Sequence, residues 1–76
     1  IQFSLYMMKE SPVSINVIDL SGKQISRIYN GNLSIGNHNF SWQGKNASGR
    51  SVSSGVYYIK VSGKSTEEWR PVTFVK

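Results

Sequence analysis

Seventy-six residues with no cysteine, one histidine and four carboxylates exclude a disulfide framework and a thiolate metal site, and leave little to build a catalytic centre from. A chain this short buries only about 60% of its unfolded surface, so its nine aromatic residues must supply much of a small core. The net charge of +5 points first to nucleic acid or an anionic surface. However, Lys9, Lys23, Arg27, Lys45, Arg50, Lys60, Lys64, Arg70 and Lys76 are spread along the chain without a dense cluster, as solvated edge and turn residues would be.

Ile1, Phe3 and Leu5 alternate with Gln2 and Ser4, which predicts a half-buried strand at the start. A chain that opens inside a strand, without a basic-then-apolar leader, is expected to be the C-terminal fragment of a longer protein. No apolar run approaches the roughly 20 residues that span a bilayer. Tyr6 to Pro12 break the alternation and predict a connection. Val13, Ile15 and Val17 then alternate with Ser14 and Asn16 in a second strand running to about Leu20. Ser21-Gly22 predicts a tight turn, with Gly22 free to take positive φ, and Gln24 to Tyr29 a returning third strand. Asn30 to Asn37 read as a turn-rich link punctuated by Gly31 and Gly36.

His38, Phe40 and Trp42 lie two apart and predict a fourth strand with one buried face. A long polar turn follows through Gly44 and Gly49, with a short strand near Ser51-Val52. Val56 to Ser62 is a further predicted strand, Gly63-Lys64-Ser65 its turn, and Glu68 to Val75 the closing strand. Pro71 cannot donate to a ladder, so it belongs on an edge or at the strand's start. Six or seven short strands with no helical period predict an all-β, antiparallel Ig-like β-sandwich, a single domain over residues 1–76 with no internal repeat.

Catalytic chemistry finds no foothold in this pattern. Glu67 and Glu68 are adjacent and point to opposite faces of a strand, while Glu10 and Asp19 flank turns, so no pair of carboxylates is set across a cleft. His38 has no cysteine and few carboxylates to work with. No catalytic residue, metal ligand or cofactor is expected. Trp42 shares a face with Phe40, and Tyr57 with Ile59 and Val61, which assigns both to the core. Tyr57 is also expected to bond its hydroxyl to a nearby corner. Tyr58 and Trp69 are left as the exposed rings that could stack on a sugar. Asn32, Asn39 and Asn46 each begin an Asn-X-Ser pattern that arises by chance in a chain so rich in Asn and Ser.

Val13-Ser-Ile-Asn-Val-Ile-Asp-Leu-Ser-Gly-Lys23 resembles the second-strand signature of C-terminal sorting domains of the bacterial type IX secretion system. Gly36-Asn-His-Asn-Phe-Ser-Trp-Gln-Gly44, Gly49 and Ser54-Gly-Val-Tyr-Tyr-Ile-Lys60 are similar to the Ig-like domain of the flagellar hook-capping protein. Asp19, Gly22, Trp42, Gly44, Gly49, Gly55 and Tyr57 carry this resemblance. Gln43 departs from it, standing where an Asp is common, as does Pro71 near a frequent Lys.

The resemblance implies a non-catalytic sorting domain. It would direct a secreted or cell-surface bacterial cargo through the periplasm and the outer-membrane secretion machinery, with Val72, Thr73, Phe74, Val75 and Lys76 as the recognition strand. Its partners would be that machinery and the upstream domains of the parent protein, with no nucleic acid and no membrane insertion. The alternatives are an Ig-like assembly domain of a hook-capping protein and a carbohydrate-binding accessory module using Tyr58 and Trp69.

Overall fold

The alternation of apolar and polar residues becomes six strands and no helix in the computed structural model, which describes residues 1–76. In chain order these are β1 (Gln2–Met7), β2 (Ser11–Ile18), β3 (Gln24–Leu33), β4 (Gly36–Ser41), β5 (Gly55–Ser62) and β6 (Glu67–Phe74). β1 and β4 form a two-stranded sheet, and the other four form a sheet in the order β3-β2-β5-β6. Every pairing is antiparallel. The two inner faces enclose Leu5 and Trp42 from one side and Val13, Ile15, Val17, Leu33, Tyr57, Ile59 and Val61 from the other. The predicted Ig-like β-sandwich is the observed architecture.

Several boundaries differ from the expectation, each for a long-range reason. β3 does not stop at Tyr29 but runs through the predicted 30–37 link to Leu33, because β2 supplies partners there: Ser14 for Asn30 and Val13 for Gly31. Only Ser34 and Ile35 remain as the turn into β4. β1 likewise continues through Tyr6 and Met7, which pair with Asn37 and Gly36. β2 ends at Ile18 rather than Leu20, whose side chain is exposed. The expected strand near Ser51-Val52 is reduced to one bridge between Lys45 and Ser51, leaving six strands rather than seven.

β2 is an inner strand of the larger sheet, and from Ile15 to Ile18 it is buried on both faces. Its register with β3 shifts between Ile15 and Asn16, a bulge that bends the strand and increases its twist. Asn16 and Ile18, which face away from the core, are buried nonetheless. β6 is the outer strand of the larger sheet, and Pro71 lies within it, where a missing N–H is tolerated on the free edge. Arg70 closes the gap between β6 and β1: its Nη1 donates to the Ser4 carbonyl at 2.6 Å while Nε pairs with Glu68 at 2.6 Å.

Strand directions sort the connections between two ends of the sandwich. The turns at 8–10, 34–35 and 63–66 share one end. The 19–23 turn, the 42–54 segment and residues 75–76 share the other, tied together by Ala47 N–H to the Ile25 carbonyl (3.0 Å) and Lys76 N–H to Ser54 Oγ (3.0 Å).

Candidate functional site

The second end is built from two loops with one architecture. Asp19-Leu20-Ser21-Gly22-Lys23 and Asn46-Ala47-Ser48-Gly49-Arg50 share the pattern Asp/Asn-X-Ser-Gly-Lys/Arg, a five-residue turn motif used twice. Short polar side chains of this kind bond to their own backbone two residues on. Asp19 Oδ1 accepts the N–H of Ser21 at 2.9 Å and of Lys23 at 3.0 Å. Asn46 Oδ1 accepts the N–H of Ser48 at 2.9 Å and of Arg50 at 3.0 Å. The backbone repeats too: Asp19 N–H to the Lys23 carbonyl and Asn46 N–H to the Arg50 carbonyl, 2.9 and 2.8 Å. Gly22 and Gly49 take φ of 91° and 82°, the left-handed region in which glycine pays no Cβ penalty. The shared five-residue pattern is itself the sequence signal for this pair of turns.

The loops differ in charge. Asp19 also receives the Ser21 hydroxyl at 2.6 Å. This bond and the two backbone N–H groups hold its carboxyl below the usual carboxylate range. Asn46 cannot ionise. Beside the loops lies a shallow depression of about 430 Å³ whose apolar lining includes Leu20, Ile25, Val52, Val56 and Tyr57.

Under the second loop sits the aromatic cluster of the core. Trp42 and Tyr57 are 3% and 6% exposed, and their rings meet edge to face at 5.1 Å. Each polar tip is satisfied by a loop carbonyl: Trp42 Nε1–H donates to Lys45 at 3.0 Å, and the Tyr57 hydroxyl to Ser53 at 2.7 Å. Phe74 adds a third ring 5.5 Å from Trp42. Gly44 is the floor on which Phe74 rests, because a Cβ there would lie 2.2 Å from the ring. Gly55 opens β5.

The segment Val72–Lys76 is thus divided. Val72 and Phe74 pack against the core, while Thr73, Val75 and Lys76 are exposed. Of the five residues expected as a recognition strand, these three present their side chains to solvent.

Tyr58 and Trp69 lie together on the outer face of β5 and β6, centroids 5.8 Å apart at 78°. Tyr58 is half-buried rather than exposed. Lys60 Nζ stands 5.0 Å from the Trp69 centroid, and Trp69 Nε1–H donates to Glu67 at 2.8 Å. That hydrogen bond and the nearby Lys60 charge lower the Glu67 carboxyl's pKa. Crossed rings with a cation on one face make a poorer sugar platform than two coplanar ones.

The remaining candidates stand apart. Glu68 pairs with Arg70 rather than with Glu67's partner Lys60, Glu10 takes a hydrogen bond from Asn32, and His38 Nε2 meets the Ser34 carbonyl at 2.8 Å. Asn39 lies within β4, paired with Ser4.

Comparison with known proteins places this geometry. The FlgD Ig-like domain profile matches residues 2–67. The fold is similar to a crystal structure of FlgD from P. aeruginosa, with a TM-score of 0.67 and 29% sequence identity over 95% of this chain. The chain spans 56% of that FlgD chain. No curated protein sequence matches significantly. With most of its length inside the family profile, the chain belongs to the FlgD Ig-like domain family.

Proposed function

We propose that this chain is a non-catalytic assembly module. It joins a larger bacterial protein to its partners outside the cytoplasm, as the Ig-like domain of a hook-capping protein would. The family match over residues 2–67 carries this reading, and the likeness to FlgD supports it. The geometry agrees with it in kind: the aromatic and glycine signature is used in packing and turns, and the loops at one end are left to meet a partner. The test is a chimera in which residues 1–76 replace the Ig-like region of P. aeruginosa FlgD. Hook assembly at a measurable level is expected; a chimera that is stable and exported yet builds no hooks counts against the reading.

A second reading, a type IX sorting domain, is favoured by the course of β6. That strand is a free edge of the larger sheet, and Thr73, Val75 and Lys76 are exposed along and beyond it, open to an outer-membrane receptor. The cargo would then pass through the periplasm to the cell surface. Residues 1–76 fused to a reporter in a type IX-competent host provide the test. Removing Val75 and Lys76, which lie outside the core, should abolish export; unchanged export would sink this reading.

A further inference from the structure

We infer that the paired-loop end is the docking surface of the module and that its partner is an acidic, apolar-studded protein segment. This rests on the assembly reading above and names the partner's chemistry. Four of the nine cations, spread along the sequence, are brought to this end by the strand directions. Lys23, Lys45, Arg50 and Lys76 all belong to the 19–23 turn, the 42–54 segment or the final residues, and all four are exposed. The two ion pairs of the molecule, Lys60–Glu67 and Arg70–Glu68, lie elsewhere, on the β5–β6 face and at the β6–β1 gap.

The carboxylates do not neutralise this end. Glu10, Glu67 and Glu68 are engaged away from it. Asp19 is on it, ionised, lining the depression and facing the Lys23 charge, so one carboxylate stands there against the four cations. A surface with an excess of one sign attracts and orients a partner of the other.

Apolar character accompanies the charge. Leu20 is 69% and Val75 76% exposed at this end, and Val56 is 41% exposed. The depression of about 430 Å³ has Leu20 and Val56 on its walls and shares Ile25 and Val52 with a second hollow of about 260 Å³ that Lys23 and Asn46 line. A strongly hydrated polyanion would leave these apolar walls unused. A protein segment carrying Glu or Asp beside Leu or Val would place an apolar side chain in the hollow and carboxylates on Lys23 and Arg50. The loops are already ordered by their internal bonds, so docking on them costs little further conformational entropy.

The experiment uses a fluorescein-labelled Glu/Leu peptide titrated with the intact chain and followed by anisotropy. Saturable binding that weakens with added salt is expected. Lys23→Gln with Arg50→Gln should lower affinity roughly five- to tenfold, and Leu20→Ser should lower it further. Lys9→Gln with Lys64→Gln, at the opposite end, should leave it unchanged. An unaltered melting temperature in each variant excludes unfolding as the cause.

Four results would overturn the inference: no saturable binding, equal loss from the Lys9/Lys64 pair, polyglutamate binding as tightly as the Glu/Leu peptide, or preferred binding to phosphatidylglycerol-containing vesicles. A hook chimera that works normally with the Lys23/Arg50 pair altered would also overturn this surface and leave the assembly reading standing. A chimera that fails with its loops unaltered, while the peptide still binds as described, supports the surface and counts against the hook-type assembly alone.

Discussion

The two five-residue loops are the same structure made from different chemistry. In the 19–23 loop an ionised Asp gathers two backbone N–H groups and a hydroxyl. In the 46–50 loop a neutral Asn gathers the equivalent two N–H groups at nearly the same distances. The shape therefore needs a short side chain with a carbonyl-like oxygen and a glycine with positive φ three residues on; it does not need a charge. What the charge changes is the strength of the bonds and their response to pH. The loops also differ in how they are held. The 46–50 loop is fastened to the core through Trp42 Nε1 and the Lys45 carbonyl, whereas the 19–23 loop depends on its own bonds and the ends of β2 and β3.

That difference in anchoring is where the largest effect should appear. Gly44 has φ of 73°, and a Cβ there would overlap the Phe74 ring. Gly44→Ala should cost roughly 3 kcal/mol, the sum of overpacking and left-handed strain, read from urea unfolding. Gly22→Ala and Gly49→Ala meet open space and should cost about 1 kcal/mol each, from backbone strain alone. A loss at Gly44 no greater than at Gly22 would mean that Phe74 yields freely and that the anchoring contrast is wrong.

Removing the bonding side chains sharpens the comparison at a smaller scale. Asn46→Ala strips acceptors from the N–H groups of Ser48 and Arg50, at a cost of about 1 kcal/mol where water can partly replace them. Asp19→Ala should cost more at pH 7, because its bonds are charge-assisted and number one more. Matched thermal melts of the two variants at pH 7 decide; a larger drop for Asn46→Ala would reverse the ranking.

The smallest effect is on pH. The Asp19 carboxyl is lowered by the Ser21 hydroxyl first and then by the Lys23 N–H, so the folded state binds a proton less readily than the unfolded chain does. Its stabilisation is complete above the unfolded value of about 3.9 and is lost as pH falls through the folded value. Glu67 behaves in the same direction through Trp69 Nε1–H. Asp19→Asn should therefore flatten part of the acid limb of the stability curve, and the addition of Glu67→Gln should flatten it further. Asn46→Asp should steepen it by giving the second loop a titrating group. Unfolding midpoints collected from pH 7 down to about 3 provide the measurement, and an acid limb unchanged by Asp19→Asn would refute the assignment.

Much of this molecule is written locally. The two-residue alternation of Val13, Ile15 and Val17, and of Tyr57, Ile59 and Val61, determined which side chains enter the core, because a strand must send successive residues to opposite faces. The turn residues Asp19, Gly22, Gly44 and Gly49 marked where the chain reverses or takes positive φ. Pro71, lacking an N–H, pointed to the edge strand it occupies. Tertiary pairing decided the rest. β3 outruns its own turn-rich composition at Asn30–Leu33 because β2 offers it a ladder, and strand propensity is at root a statement about such neighbours. Val72 and Phe74 were drawn against the core, half-buried, dividing a segment that reads as uniform in the sequence. Lys23, Lys45, Arg50 and Lys76 came to share one end because antiparallel strands return the chain repeatedly to it. A side chain's face follows from its own strand's period, but its company across the sandwich follows from register and topology, which no local window of the sequence contains.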